Sequence, residues 1–345
     1  MKFLFATRAF RIFSSTAVLA GLVIPQLQAQ APSAGSAISS AVKNANALLA
    51  ILDSRLRSKV LFDFNDNRQR ARWSNLPSGA FTRAGLRLGD LTPQQRKAAM
   101  TLVASVLSRE GYDKVGAIMD ADEVLKSSSG RPLFGRDEYY ISILGNPSLT
   151  TPWMLQFGGH HLGLNVTIAG DRDVLTPSLT AVQPAAYNVN GKTVRPLGRE
   201  NDKAFALINA LDAGQRKQAI LNYRVADLVL GPGEDGKTIM PEGIRGSALS
   251  VSQQAMLLDL ANEWVGIIHD SAAATRMSEI RAGIADTWFA WSGPTRNGSA
   301  AYFRIQGPRL IIEYSPQELG GDPTMHIHTI YRDPVNDYGK SFLPR

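Results

Sequence analysis

Four of the five histidines in this 345-residue chain fall in two tight pairs, His160-His161 and His326-Ile327-His328. Imidazole suits zinc, iron, copper and nickel. Two histidines spaced two apart on a strand point to the same side, so His326 and His328 can reach one ion. Adding His161, or His160 in its place, and Glu313 gives a candidate ligand set of three nitrogens and a carboxylate. A catalytic ion would keep at least one further position for water or substrate. Glu313 stands inside Leu310-Ile311-Ile312-Glu313-Tyr314, where an unpaired carboxylate is expensive to bury and requires a cation, a metal or hydrogen-bond donors.

Blander readings stand beside these. A His-x-His on a strand is often structural, His160-His161 after two glycines also reads as a turn with a satisfied imidazole, and Glu313 can pair with Arg304 or Arg332. The joint occurrence of ligand-type residues favours a metal site. His160 is then a substitute ligand or a proton shuttle. Asp333 and Asp337, four apart beside Arg332, are expected to orient the histidines or act as general base; an Asp-rich turn is the alternative. His269, at a helix end, is read as unrelated.

The absence of cysteine excludes a disulfide scaffold, a thiolate zinc site, an iron–sulfur cluster and a cysteine nucleophile. Ser247 and Ser292 lack the Gly-x-Ser-x-Gly elbow. The loop Gly231-Pro232-Gly233-Glu234-Asp235-Gly236 has no phosphate-binding lysine, and no dinucleotide fingerprint is present.

Lys2, Arg8 and Arg11, the small apolar stretch Ser14 to Ile24 and the pattern Leu27-Gln28-Ala29-Gln30-Ala31 read as a secretory leader cleaved after Ala29. An export destination, periplasmic or extracellular, follows, with no stable membrane span after cleavage; an uncleaved anchor would need about 20 apolar residues. Loss of residues 1–29 removes three cations and no anion, so the formal +7 falls to +4. The densest basic cluster, Arg68-Gln69-Arg70-Ala71-Arg72, lacks aromatic interleaving, so a nucleic-acid partner is not expected.

The elements that must position these residues suggest an α+β fold. After a linker at 30–36, residues 37–345 read as one domain: a helical subregion over 37–130, packed on a mixed, largely antiparallel sheet from the sheet-rich subregion 131–345. Helices are expected from Ile38 to about Phe62, from Thr92 to about Arg109 with a stop at Gly111, around Val115–Leu125, from Asp212 to Leu230, and from Ser250 to His269. Thr92 and Pro93 fit the N-cap and first helical position, with Gln95 at the capping-box position. The stretch around Trp73 and Leu76-Pro77 reads as an ordered loop. Two segments, Tyr139–Thr167 and Thr287–Tyr314, share a pattern of strand, Gly/Pro turn, strand, glycine kink and strand. Aligning Gly159 with Gly307 sets Leu162 against Leu310, Leu164 against Ile312 and Asn165 against Glu313, the mark of a duplicated unit or of chance likeness between hairpins. Alternation puts Leu162, Leu164 and Val166 on one face and His161, Gly163, Asn165 and Thr167 on the other.

Arg72-Trp73-Ser74-Asn75-Leu76-Pro77, Gly158-Gly159-His160-His161-Leu162, Ile312-Glu313-Tyr314, His326-Ile327-His328 and the ending from Tyr331-Arg332-Asp333 to Asp337-Tyr338-Gly339 resemble the domain-of-unknown-function family numbered 3500. The resemblance covers roughly residues 40–341. It implies that both histidine regions belong to a single unit, and it supplies no activity.

The expected function is an exported metal-dependent enzyme, first a hydrolase using metal-activated water. The metal is a divalent transition ion, zinc favoured, held by His161, Glu313, His326 and His328. A non-haem iron or copper oxidoreductase is the alternative, and a binding protein with a structural histidine network is the non-enzymatic one. The substrate, a small molecule or polymer-derived, is not defined by the sequence.

Overall fold

Helix starts in this chain are written in local chemistry. Thr92 and Gln95 close a capping box on the helix that follows, with Pro93 at its first position; Asp212 with Gln215 and Ser250 with Gln253 do the same. Each box satisfies amide donors that the first helical turn leaves unpaired. The computed structural model describes Met1 and residues 34–342. The expected leader at 1–29 lies outside the described residues beyond Met1, as do residues 30–33 of the expected linker, and residues 34–36 open the first helix rather than a linker.

The first half runs α1 (Ala34–Ala50), α2 (Ser54–Val60), β1 (Leu61–Phe62), α3 (Asn67–Arg70), β2 (Leu86–Arg87), α4 (Pro93–Val106), α5 (Arg109–Ser129), β3 (Tyr140–Leu144), β4 (Trp153–Gly158), β5 (Leu162–Ala169) and β6 (Arg172–Val182). A small hairpin, β7 (Tyr187–Val189) with β8 (Lys192–Val194), leads into the second half. That half runs α6 (Gly198–Ala210), α7 (Ala213–Ala219), β9 (Ile244–Arg245), α8 (Val251–Val265), α9 (Asp270–Ala282), β10 (Trp288–Ser292), β11 (Tyr302–Gly307), β12 (Leu310–Pro316) and β13 (Ile327–Arg332).

The two halves repeat one plan. The eleven-stranded sheet has the order β1-β3-β4-β5-β6-β13-β12-β11-β10-β9, with β2 also on β3, and only β1–β3 is parallel. Its midline is the antiparallel β6–β13 pair, where Thr180 Oγ1 and Thr329 Oγ1 are 2.7 Å apart. Leu61 pairs in parallel with Ile143, and Ile220 bridges Trp291 in the same sense. Gln156 faces Asn165 across β4–β5 in the place where Arg304 faces Glu313 across β11–β12. The alignment of Leu162 with Leu310 and Asn165 with Glu313 is thus the register that the strands adopt.

Both sheet faces are covered. Leu162, Leu164 and Val166 meet residues of α1, α4 and α5, and Leu310, Ile312 and Tyr314 meet residues of α6 and α8, giving two equivalent cores. The opposite face lies under irregular chain, with Trp73 packed on Leu179, Ala181 and Ile330. With cover on both faces, β5 is buried throughout, its polar Asn165 and Thr167 included.

Several expected boundaries move. The first expected helix breaks at Asp53, which caps α2 by accepting from the Leu56 amide. The helix expected over Asp212–Leu230 ends at Ala219, and α6 and α9 add helices inside the expected sheet-rich subregion, because that stretch holds the second repeat. Gly111 does not stop a helix; it lies in the first turn of α5, where a Cβ would stand 2.2 Å from the Ile267 carbonyl oxygen. Only glycine permits that approach, which brings the α4–α5 junction against α8–α9: Ser108 N donates to Ile267 O and His269 N to Val106 O. Among the described residues no helix is long and apolar enough to cross a membrane.

Candidate metal centre

Helix α5 carries Val115, Ile118, Met119 and Asp122 on its buried side. Their spacing is that of one helix face, so the carboxylate of Asp122 is turned inward with the apolar residues, and it is fully buried. It meets the β4–β5 turn, where Gly159 lets the chain pass over the ring of Tyr139; a Cβ there would stand 3.0 Å from that ring. The turn delivers His160 and His161. Strand alternation at the start of β13 delivers His326 and His328 to the same place.

His161 is wholly buried, with Nδ1 2.8 Å from Asp122 Oδ1. Tyr139 OH donates to Asp122 Oδ2 at 2.8 Å. The His326 and His328 Nε2 atoms are 3.0 Å apart, and the ring of His161 lies 5.3 Å from that of His326 and 5.8 Å from that of His328. One ring nitrogen from each of the three histidines falls within 4.8 Å of the others. Nitrogens bound to a tetrahedral zinc at about 2.0–2.1 Å would lie ~3.3 Å apart. These buried groups can hold a metal ion.

The outer nitrogens fix the tautomers. Asp122 takes the Nδ1–H of His161, which leaves Nε2 with its lone pair, buried and without a hydrogen-bond partner. The Leu319 carbonyl accepts from His326 Nδ1 at 2.6 Å, so His326 Nε2 also carries a lone pair. His328 Nδ1 faces the Asn75 side-chain amide at 3.1 Å and Asp227 Oδ1 at 3.9 Å. Without a cation, His328 Nε2–H donates to His326 Nε2 and Asn75 donates to Nδ1. With its amide turned over, Asn75 would accept from His328 Nδ1–H, and His328 Nε2 would then carry the lone pair. A carboxylate, a backbone carbonyl and a side-chain amide thus orient three imidazoles, an arrangement common around metal-ligating histidines.

The electrostatics agree. Burial pushes the His161 and His328 imidazoles down and His326 down to about 4, so each is neutral and able to ligate at pH 7. Burial alone would raise Asp122, but His161 and His160 beside it reverse the direction and hold it below the usual carboxylate range. His160 stacks on His161 with centroids 3.6 Å apart, rests on Phe134, and has Nδ1 3.4 Å from Asp122 Oδ1. Asp122, His160 and His161 form a second group of ligand-type atoms within reach of one another.

Three expected site residues are placed elsewhere. Glu313 lies in neither group. Its oxygens accept from the amides of Val229 and Leu230 at 2.9 and 2.7 Å and from Tyr302 OH at 2.6 Å. It shares a sheet face with His328, but its cross-strand partner is Ile330, two residues further along β13. Asp333 is paired with Arg276 and Arg309 at 2.8 and 3.0 Å, and Asp337 with Arg332 at 3.0 Å. Arginine pairs, rather than imidazoles, satisfy those two aspartates. His269 caps α9 and sits against Asp173, away from the cluster.

Asp122, Asn75 and the Leu319 carbonyl were not singled out by sequence reasoning. Asp122 left a readable trace, a carboxylate on the apolar stripe of an amphipathic helix. Asn75 lay unmarked within the Arg72–Pro77 motif, and a backbone carbonyl leaves no trace in residue types.

A family model described as "Protein of unknown function (DUF3500)" matches residues 34–340. The chain belongs to this family. The matched span takes in both repeats, both histidine pairs and Asp122. Neither a curated protein nor a solved structure is matched.

Proposed function

We propose that this member of the family is an exported metal-dependent hydrolase whose ion is held by His161, His326 and His328. The observation that carries the reading is the buried Nε2 of His161, unpartnered and aimed where two further imidazole nitrogens meet. Zinc is the preferred ion, since it is commonly held by three neutral nitrogens with a fourth position left open. When bound, such an ion polarises substrate and lowers the pKa of a water toward about 7. Asp122 fixes the tautomer and the ring plane of His161 and supplies one negative charge near the centre. His160, stacked on His161 beside the same carboxylate, is the group positioned to accept and pass on a proton. Glu313 is spent on backbone amides and so does not complete a two-histidine, one-carboxylate iron set with His326 and His328. Copper, and with it an oxidoreductase, remains the second reading, since three imidazoles suit that ion too.

Export rests on Lys2, Arg8 and Arg11, the apolar stretch that follows and the small-residue pattern ending at Ala29. Sequencing the N-terminus of protein recovered outside the cytoplasm should begin at Gln30; retention of Met1 would refute export by cleavage.

Elemental analysis of the purified chain, repeated on His161→Ala, His326→Ala and His328→Ala, tests the centre. One ion per chain, lost in each variant, is expected. A histidine network without metal would bind none under any loading condition. A colourless, redox-silent ion with activity on hydrolysable esters or amides supports hydrolysis; a coloured, redox-active one supports oxidation.

A further inference from the structure

Arg304 occupies a polar position between Phe303 and Ile305 on β11, and its side chain is only 3% exposed. Its cross-strand neighbour Glu313 is already occupied by Val229 N, Leu230 N and Tyr302 OH. Arg304 donates from Nη2 to Glu242 Oε2 at 2.9 Å, while its Nε is buried without a hydrogen-bond partner. The same Glu242 oxygen accepts from Tyr223 OH at 2.6 Å. Glu242 belongs to the irregular chain after α7, and 38% of its side chain is exposed. A guanidinium and a phenol, one buried and one at the surface, therefore hold one carboxylate that solvent can reach.

The surroundings combine an apolar wall with charged groups. A groove of about 560 Å³ runs over Arg304 and Glu242, lined by Val225, Val229, Ile239 and Met240 together with the charged Arg224 and Asp227. Met240 is 81% exposed and Tyr223 47%. Apolar walls with a few convergent polar groups are the usual composition of a small-molecule site. A surface glutamate seated on a buried arginine marks which charge that seat accepts, because a guanidinium and a hydroxyl donor together match a carboxylate.

We propose that this groove binds a small monocarboxylate with an apolar tail, its carboxylate displacing Glu242 from Arg304 and Tyr223 and its tail lying on Val229, Ile239 and Met240. The groove is centred on Arg304 rather than on the three imidazoles, which it approaches through Asp227, and the proposal does not depend on the metal reading. Hydrogen bonds to Tyr223 and Arg304 hold the Glu242 carboxyl below its ordinary range, so at neutral pH the seat is filled by a charged group and a ligand must compete with it.

Calorimetric titration of the full chain with octanoate, and with 1-octanol as the uncharged control, tests this. Octanoate should bind and octanol should not. Glu242→Ala should tighten octanoate about tenfold by vacating the seat, the factor expected from one charge-assisted contact. Tyr223→Phe and Met240→Asp alter exposed side chains, so their folds should be kept, and both should weaken octanoate. Equal affinity for octanol, or no change on Glu242→Ala and Met240→Asp in variants with unaltered melting curves, would overturn the proposal. An affinity abolished by EDTA would assign octanoate to the histidine centre and would also overturn it.

Discussion

His161 Nδ1 and Asp122 Oδ1 stand 2.8 Å apart although 39 residues separate them. This contact joins helix α5 to the turn before β5 and decides which nitrogen of His161 faces the other histidines. The other two imidazoles come from the second repeat, His326 just before β13 and His328 within it. The site is assembled only where the two halves meet along β6 and β13.

Asp122→Asn should keep the shape of the contact and remove its charge. Metal affinity should fall by about 10–100-fold, as for other groups that orient ligating histidines. Competition against a chromophoric chelator measures this, and unchanged affinity would show that Asp122 plays no part in metal binding. Asp122→Ala also leaves His161 and Tyr139 without their buried acceptor, at a cost of about 1–3 kcal/mol.

Removing the ion should lower thermal stability, because a ligand that binds only the folded chain stabilises it by mass action, about 2.7 kcal/mol at a hundredfold excess over Kd. EDTA should shift the melting midpoint down in the native chain and leave His326→Ala unmoved. A midpoint indifferent to EDTA and to added zinc would argue against a bound ion.

Glu313→Gln separates the expected carboxylate ligand from its observed role. The variant weakens three hydrogen bonds to a buried charge and should lose about 1.5–3 kcal/mol of stability. Its metal content should equal that of the native chain. Loss of metal with stability intact would restore Glu313 to the ligand set.

The metal-free chain should lose stability as pH falls. The folded-state values of His161, His326 and His328 lie below the ordinary 6.5, so the unfolded chain takes up protons first. The contribution is complete above about 6.5 and is lost progressively toward about 4, where His326 titrates in the folded state. Asp122 acts in the same sense at lower pH, its carboxyl being depressed. Urea midpoints between pH 7 and 4 should fall for the metal-free chain and fall less in the chain lacking all three histidines. Parallel curves would exclude the histidines as the source.

The repeat and its faces were legible because strand alternation and capping boxes act over a few residues. Leu162, Leu164 and Val166 turned to the helices as alternation requires, and Thr92-Pro93-Gln94-Gln95 opened α4. The helix assigned to Asp212–Leu230 failed because its second part is held by tertiary contacts: the amides of Val229 and Leu230 serve Glu313 rather than a helical turn. Gly111 misled for a related reason. Its lack of a side chain answers to Ile267 in the other repeat, not to a helix end.

Residue type and two-residue spacing were enough to mark His161, His326 and His328 as groups that could share an ion, because both are local properties. Which carboxylate would join them was not a local property. Glu313 stands in an apolar run of β12 and Asp122 on the apolar stripe of α5, and nothing near either in the chain separates a partner of imidazole from a partner of amides. The pairing of β12 with β13 sets Glu313 two residues along the strand from His328, within reach of the chain after α7. The packing of α5 against the β4–β5 turn carries Asp122 to His161. Long-range strand register and helix packing made that choice, through contacts between parts of the chain that are distant in sequence.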